Sequence, residues 1–286
     1  MSEGRGLLGT DNHDRDAVGL TYVYPVISRR AGGVSVGINL NPNNACNWHC
    51  AYCQVPELVR GTAPDIDIAL LEKELRSFLQ SILEGDFMSR RVPEDCRKLC
   101  DIAISGNGEP TGSAQFDQAV TAIGSVMRDL DLADRIPLVL ISNGSYVQRH
   151  HVQDGLKRIA ALGGEAWLKV DSATEEGIRR INGVSLSPAR LHDQIEVCAR
   201  ICPSWIQTCV MAWDGAPPDE EEQQAYILLV SRLVEENIPL KGVRLYGLAR
   251  PSLQPEAIHV EKLGKSWLQV FAGRIESTGL KVLITS

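Results

Sequence analysis

Apolar residues fall along this chain in two rhythms. Short, nearly unbroken apolar runs occupy 33–40, 99–105, 136–142, 166–170, 205–211 and 243–248, with a possible seventh at 281–285. Between them the apolar positions recur every three or four residues. Leu71, Leu75, Phe78, Leu79 and Ile82 precede a stop at Gly85, and Phe116, Ala119, Val120, Ile123 and Met127 follow the second run. Helical spacing also covers 147–162 and 191–201, Pro217, Pro218 and Asp219 open an acid-fronted helix to about 236, and a last helix precedes the seventh run. An unbroken run predicts a strand covered on both faces, and a 3.6-residue period predicts a helix with one buried stripe. Their alternation predicts βαβ units and a parallel sheet. Six or seven strands are too few for an eight-stranded barrel. The expected fold is therefore α/β, a partial parallel (β/α)6-type barrel, with an open doubly wound sheet as the alternative. Either form puts the working site at the carboxyl ends of the strands. Residues 1–20 are polar and aperiodic and read as a loose arm; 21–286 are expected to form one domain.

Composition narrows the class of protein. At 44% apolar and 23% charged, the 286-residue chain is ordinary for a globular protein. No apolar run approaches the roughly 18 residues that a membrane span needs, and the first residues lack a signal-length apolar core, so a cytoplasmic protein with no membrane partner is expected. The net charge of −7, with no basic tract, disfavours a large nucleic acid as partner while leaving room for a local basic pocket. Eight cysteines in such a compartment are expected as thiols, metal ligands or catalytic groups.

Three of those cysteines stand together, at Cys46, Cys50 and Cys53, on the loop after the first run. The spacing is C-x3-C-x2-C. A structural zinc site normally takes four ligands, often from paired knuckles, and no second knuckle exists here. A four-iron, four-sulfur (4Fe-4S) cluster usually takes four cysteines, so three leave one iron open to a substrate or cofactor. The loop also carries Asn44, Asn47 and His49, which are poor core material. An iron–sulfur cluster is the favoured reading; zinc and plain buried thiols are the alternatives.

Ser105-Gly106-Asn107-Gly108-Glu109-Pro110-Thr111 follows the second run. Its glycines allow a close backbone approach, and its carbonyls and carboxylate can accept from an ammonium group; the plainer reading is a strand-to-helix turn. Ser142 and Asn143 end the third run, before Gly144. Lys169 and Asp171 alternate with apolar neighbours, either facing a ligand or pairing with each other. Gln207 and Tyr246 could line the same space, and Arg29 and Arg30 could anchor a carboxylate or phosphate. Cys96, Cys100, Cys198, Cys202 and Cys209 sit on elements that do not converge, so no second cluster is expected.

The C-x3-C-x2-C loop, with the aromatic Tyr52 before its last cysteine, resembles the cluster loop of the radical S-adenosylmethionine (SAM) superfamily. The lead-in Ser28-Arg29-Arg30 … Gly37-Ile38-Asn39-Leu40 and the GNGEPT segment resemble its wyosine-synthase-like branch. Ser142-Asn143-Gly144, Lys169-Val170-Asp171, Ile206-Gln207-Thr208, Tyr246 and Arg250-Pro251 are similar to that branch's strand ends, over roughly 24–286. The resemblance implies a radical SAM core with a 4Fe-4S cluster on Cys46, Cys50 and Cys53, whose open iron chelates SAM. One electron, from a donor such as flavodoxin or ferredoxin, then cleaves SAM to methionine and a 5′-deoxyadenosyl radical. The resemblance further implies that Tyr52 lies beside the adenine, Gly106, Asn107, Gly108 and Glu109 at the methionine end, and Ser142 and Asn143 near ribose or methionine, with Lys169, Asp171, Gln207 and Tyr246 in the same cavity. The branch's tRNA-modifying member carries a second cluster on cysteines upstream of the loop, whereas Cys46 is the first cysteine here. The expected substrate is therefore a small molecule, nucleoside or short peptide. A tRNA-modifying enzyme is the alternative, and a non-catalytic iron–sulfur sensor the alternative of another class.

Overall fold

The computed structural model describes residues 7–9, 18–28 and 32–285. Most of the 1–20 arm, and Arg29 and Arg30, lie outside the described residues. Eight strands form one sheet: β1 Val23–Ser28, β2 Gly33–Ile38, β3 Leu99–Ile104, β4 Leu138–Ser142, β5 Glu165–Lys169, β6 Ser204–Val210, β7 Leu240–Gly247 and β8 Val282–Thr285. They lie side by side in chain order. β1 and β2 pair antiparallel, and every later neighbour is parallel. A doubly wound sheet reverses its strand order at a switch point. This one never reverses, so the sheet curls into a half-barrel. The seven apolar runs correspond to β2–β8. β1 is an addition to the expected count, and its Pro25 suits an edge, where a missing N–H costs no ladder bond.

The crossovers are α1 Ile68–Leu83, α2 Phe116–Asp129, α3 His150–Ala161, α4 Glu175–Asn182, α5 Pro188–Ile201, α6 Glu220–Glu235 and α7 Lys265–Glu276. Their starts follow capping chemistry. Asp67 accepts from Leu70 N–H at 2.9 Å, Asp219 accepts from Glu222 N–H at 2.9 Å, and Ser187 caps α5 with Pro188 in its first turn. Outward residues of the strands, such as Val36, Ile102, Leu138 and Leu140, pack on Leu71, Leu75, Leu79, Phe116 and Ile159 of the helices. The alternate, inward positions of all eight strands, from Tyr24 on β1 to Thr285 on β8, line one cavity. Among the described residues, no helix is long and apolar enough to cross a membrane.

The inner face carries an ionic knot near the amino ends of the strands. Glu165 accepts from Trp167 Nε1 at 2.7 Å, Trp205 Nε1 at 3.1 Å, Lys241 Nζ at 2.5 Å and Arg244 Nη2 at 3.3 Å. The Arg244 guanidinium lies 3.9 Å from the Trp167 ring centre and 4.5 Å from that of Trp205. Burial opposes the charge on Glu165, but Lys241 and the two indole N–H groups outweigh it and hold the carboxyl below its usual pKa. A depressed carboxyl stabilises the fold above the unfolded value, near 4.3, and loses that contribution as pH falls through the folded value. Glu165→Gln removes the charge that faces Lys241 and Arg244 and is expected to cost about 2 kcal/mol at neutral pH. Urea unfolding of both proteins across pH checks this. The gap should narrow below about pH 4, and equal stability at neutral pH would refute it.

Candidate functional site

The cysteine loop leaves the carboxyl end of β2 under the control of asparagines. Asn39 Oδ1 accepts from the N–H groups of Asn41 and Asn107, both at 3.0 Å, and so joins this loop to the GNGEP segment after β3. Asn41 Nδ2 donates to the Ala45 carbonyl at 2.9 Å, and Asn44 takes a left-handed φ of 55°. Ala45–Cys46 then pairs with Val59–Arg60. From outside, the loop hangs on α4: His49 N–H donates to Asn182 O at 3.0 Å and Ala51 N–H to Ile181 O at 2.7 Å. Residues 252–254 close the other flank, with Leu253 N–H on Cys53 O at 3.0 Å and Gln254 Nε2 on Val55 O at 2.8 Å.

All three thiols line the half-barrel cavity, whose volume is about 360 Å³. Burial pushes the Cys46 thiol up to about 12 and Cys50 higher still. Burial does the same to the core thiols Cys198 and Cys202, and a metal that binds at the loop has to displace these protons, because the thiolate is the ligand. Two sulfurs already accept hydrogen bonds, Cys46 Sγ from Trp48 N–H and Cys50 Sγ from Asn182 Nδ2, both at 3.4 Å.

The glycines of GNGEP serve loop-to-loop contact. A Cβ built on Gly108 would lie 2.0 Å from the Ala45 carbonyl oxygen, and one on Gly106 would lie 2.3 Å from Asn39 Oδ1. Glu109 is buried and hydrogen-bonded through both oxygens. Its Oε1 accepts from Thr111 N–H at 3.1 Å, Thr111 Oγ1 at 2.5 Å and Ser142 Oγ at 2.7 Å, and its Oε2 from Asn143 N–H at 2.6 Å. A carboxylate offers about four acceptor positions. Three of these bonds fall on Oε1 and one on Oε2, so the carboxylate joins GNGEP to the end of β4 while Oε2 keeps an acceptor position. Burial raises the Glu109 pKa, and these hydrogen bonds oppose the rise.

The opposite wall is a second network. Lys169 Nζ donates to Tyr246 Oη at 2.7 Å, stands 3.8 Å from Asp171 Oδ1 and lies 4.6 Å from the centre of the Tyr52 ring. Asp171 accepts from Tyr52 Oη at 2.5 Å, Asn182 Nδ2 at 2.8 Å and Cys209 N–H at 2.9 Å. Burial works against the charge on Lys169, yet Asp171 and its other neighbours keep its pKa above the ordinary value. Of the two readings of the Lys169 and Asp171 pattern, the structure has the mutual pair, and that pair ties β5 to the cysteine loop.

Of the fourteen residues expected at the site, all but Asp171 line the cavity, and Asp171 stands behind Tyr52. Asn107 Oδ1 and Gln207 Oε1, on two lining residues, are buried without a protein partner. Cys198 and Cys202 are buried in the core on the helix side, while Cys100 is the second residue of β3 and Cys96 precedes the strand. Cys209 does reach the cavity, on the wall opposite GNGEP. Asn39, Asn41, Asn182 and Trp167 also belong to the site. No spacing rule marks them, although the Asn182-Gly183 pair is a recognisable helix stop, with Gly183 at φ 66°.

No protein-family model matches the chain. The UPF0026 protein MJ1312 of Methanocaldococcus jannaschii is 28% identical over 158 residues, covering 55% of this chain and 42% of that protein. SuiB of Streptococcus suis, in a crystal structure bound to S-adenosylmethionine, aligns with a TM-score of 0.54 at 12% identity, covering 89% of this chain and 47% of SuiB. A radical SAM methyltransferase from Sphaerobacter thermophilus aligns with a TM-score of 0.55 at 11% identity, covering 88% of this chain and 66% of the methyltransferase. The chain thus spans less than half the length of MJ1312 and of SuiB. At these identities the likeness concerns architecture, and the chain has the curled, mostly parallel partial-barrel fold found in radical SAM structures.

Proposed function

We propose that this chain is a radical SAM enzyme of the wyosine-synthase-like branch. The observation that carries the reading is the meeting, in one cavity at the carboxyl ends of a partial barrel, of three thiols from one loop with the GNGEP backbone. When bound, a 4Fe-4S cluster with one open iron supplies the electron that splits SAM into methionine and a 5′-deoxyadenosyl radical. The chain's own residues bind and orient. Cys46, Cys50 and Cys53 are the cluster ligands. The carbonyls of Gly106, Asn107 and Gly108, with Asn107 Oδ1 and the Glu109 carboxylate, are the acceptors for the SAM ammonium. Lys169, Tyr52 and Tyr246 form the wall beside the nucleoside. Below them Ala103, Val139, Ile141 and Trp167 are the apolar part of the cavity wall, with Ser35, Asp101 and Gln207 as its polar part.

The substrate in this reading is a small molecule, nucleoside or short peptide; tRNA modification is the alternative. The electron donor is a flavodoxin or ferredoxin, residues 21–286 act as one domain, and the setting is cytoplasmic. The test is anaerobic: reconstitute with iron and sulfide, count iron, then add dithionite and SAM. The expected result is about four irons per chain and release of 5′-deoxyadenosine. Zinc or no metal would refute the cluster, and iron without cleavage would favour a sensor.

A further inference from the structure

Asn182 ends α4 and is 1% exposed. Both kinds of contact it makes reach the cysteine loop or its support. Its backbone carbonyl accepts from His49 N–H at 3.0 Å, a bond that does not depend on the side chain. Its Nδ2 donates twice, to Asp171 Oδ2 at 2.8 Å and to Cys50 Sγ at 3.4 Å. Asp171 is itself held by Tyr52 Oη and Cys209 N–H. The carboxamide therefore cannot turn over: reversing it would set its oxygen against a carboxylate and a sulfur, both acceptors. The bond from Trp48 N–H to Cys46 Sγ, by contrast, comes from backbone and is fixed by the fold. The bond from Asn182 is one that a single side chain controls.

We infer that Asn182 sets the reduction potential of the cluster through its N–H···S bond to Cys50, with Asp171 as the residue that aims it. The inference rests on the cluster assignment of the proposed function. A donor beside a ligating sulfur stabilises the more negative, reduced cluster more than the oxidised one, so it raises the potential and eases electron acceptance. Asn182 is a positioning and tuning residue in this account and touches no substrate.

The experiment is an anaerobic redox titration of the reconstituted protein, followed by electron paramagnetic resonance, with iron counted on each sample. Asn182→Leu keeps the size of the side chain and removes the donor. At a fixed potential the ratio of reduced to oxidised cluster is expected to fall about tenfold, a downward shift of about 59 mV for one electron. The iron–sulfur(cysteine) stretch in resonance Raman spectra should move as well. Asn182→Ala, which makes room for a water to donate in its place, should shift less. Asp171→Asn withdraws the carboxylate that aims the amide, so Asn182→Leu should lower the potential less in that background than in the wild type. An unchanged potential in Asn182→Leu with four irons present overturns the inference. Loss of iron from both Asn182 variants, with the wild type loaded, would make Asn182 an assembly residue and overturn it too. A wild type that takes up no iron refutes the proposed function itself.

Discussion

Alanine at Cys46, Cys50 or Cys53 is expected to leave a folded chain that holds less than its full iron and releases no 5′-deoxyadenosine. The fold should survive because the loop is held by its backbone. His49 N–H, Ala51 N–H, Cys53 O and Val55 O all carry bonds to α4 or to residues 252–254, and none involves a thiol. Chemistry should not survive. A three-ligand site has no spare donor on its own loop, and the loss should exceed the roughly 10–100-fold that removal of an outer-shell partner causes. Cys198→Ala is the matched control. That thiol is buried in the core, 3.6 Å from Ser204 Oγ. Its removal should cost about 1 kcal/mol in packing and leave iron and cleavage intact. Iron analysis, circular dichroism and a cleavage assay on the four variants decide the matter. Full cleavage in any loop variant, or loss of iron from Cys198→Ala, would contradict the assignment.

What the sequence discloses here is what lies close together along the chain. Runs such as Leu138–Ser142 are legible as strands because helices cover one face and the apolar part of the cavity wall lies on the other. β1 is not, since its Pro25 interrupts the pattern and its partner is only an edge. α4 is not, because two turns with Ile178 and Ile181 on one side are too short to show a period. The cysteine spacing and GNGEPT are legible for the same reason of locality. The partners of Glu109 are a different matter. Ser142 and Asn143 can be noticed as a strand end, but their bonds to Glu109 exist only because β3 and β4 are neighbours in the sheet. Asn182 meets Cys50 across 132 positions of sequence, through a helix that has to stop at Gly183. Such residues lack a motif because their function is set by packing.

Gly108→Ala should be among the most damaging single-methyl additions in the molecule. The new carbon would sit 2.0 Å from the Ala45 carbonyl oxygen and 2.7 Å from Asn41 Nδ2, in a place where the nearest obstacle is backbone. Relief has to come from moving the residue that precedes Cys46, or from breaking the Asn41 bond to the Ala45 carbonyl. Overpacking of this kind typically costs 1–3 kcal/mol, and the upper part of that range is expected because the obstruction is rigid. The same displacement carries Cys46 away from its partners, so iron retention should fall together with stability. Gly106→Ala meets Asn39 Oδ1 at 2.3 Å, which can rotate at the expense of its two N–H bonds, and Asn39 Cα at 2.8 Å, a wider backbone approach than the one at Gly108, and should cost somewhat less. Gly273→Ala, within α7 and with nothing inside 4 Å of the added carbon, should stabilise by roughly 0.5–1 kcal/mol through helix propensity. The expected order in thermal unfolding is Gly108→Ala lowest, then Gly106→Ala, wild type and Gly273→Ala. A Gly108→Ala protein that melts with the wild type and keeps its iron would mean that the two loops do not meet as described, and the cavity they frame would lose its geometric basis.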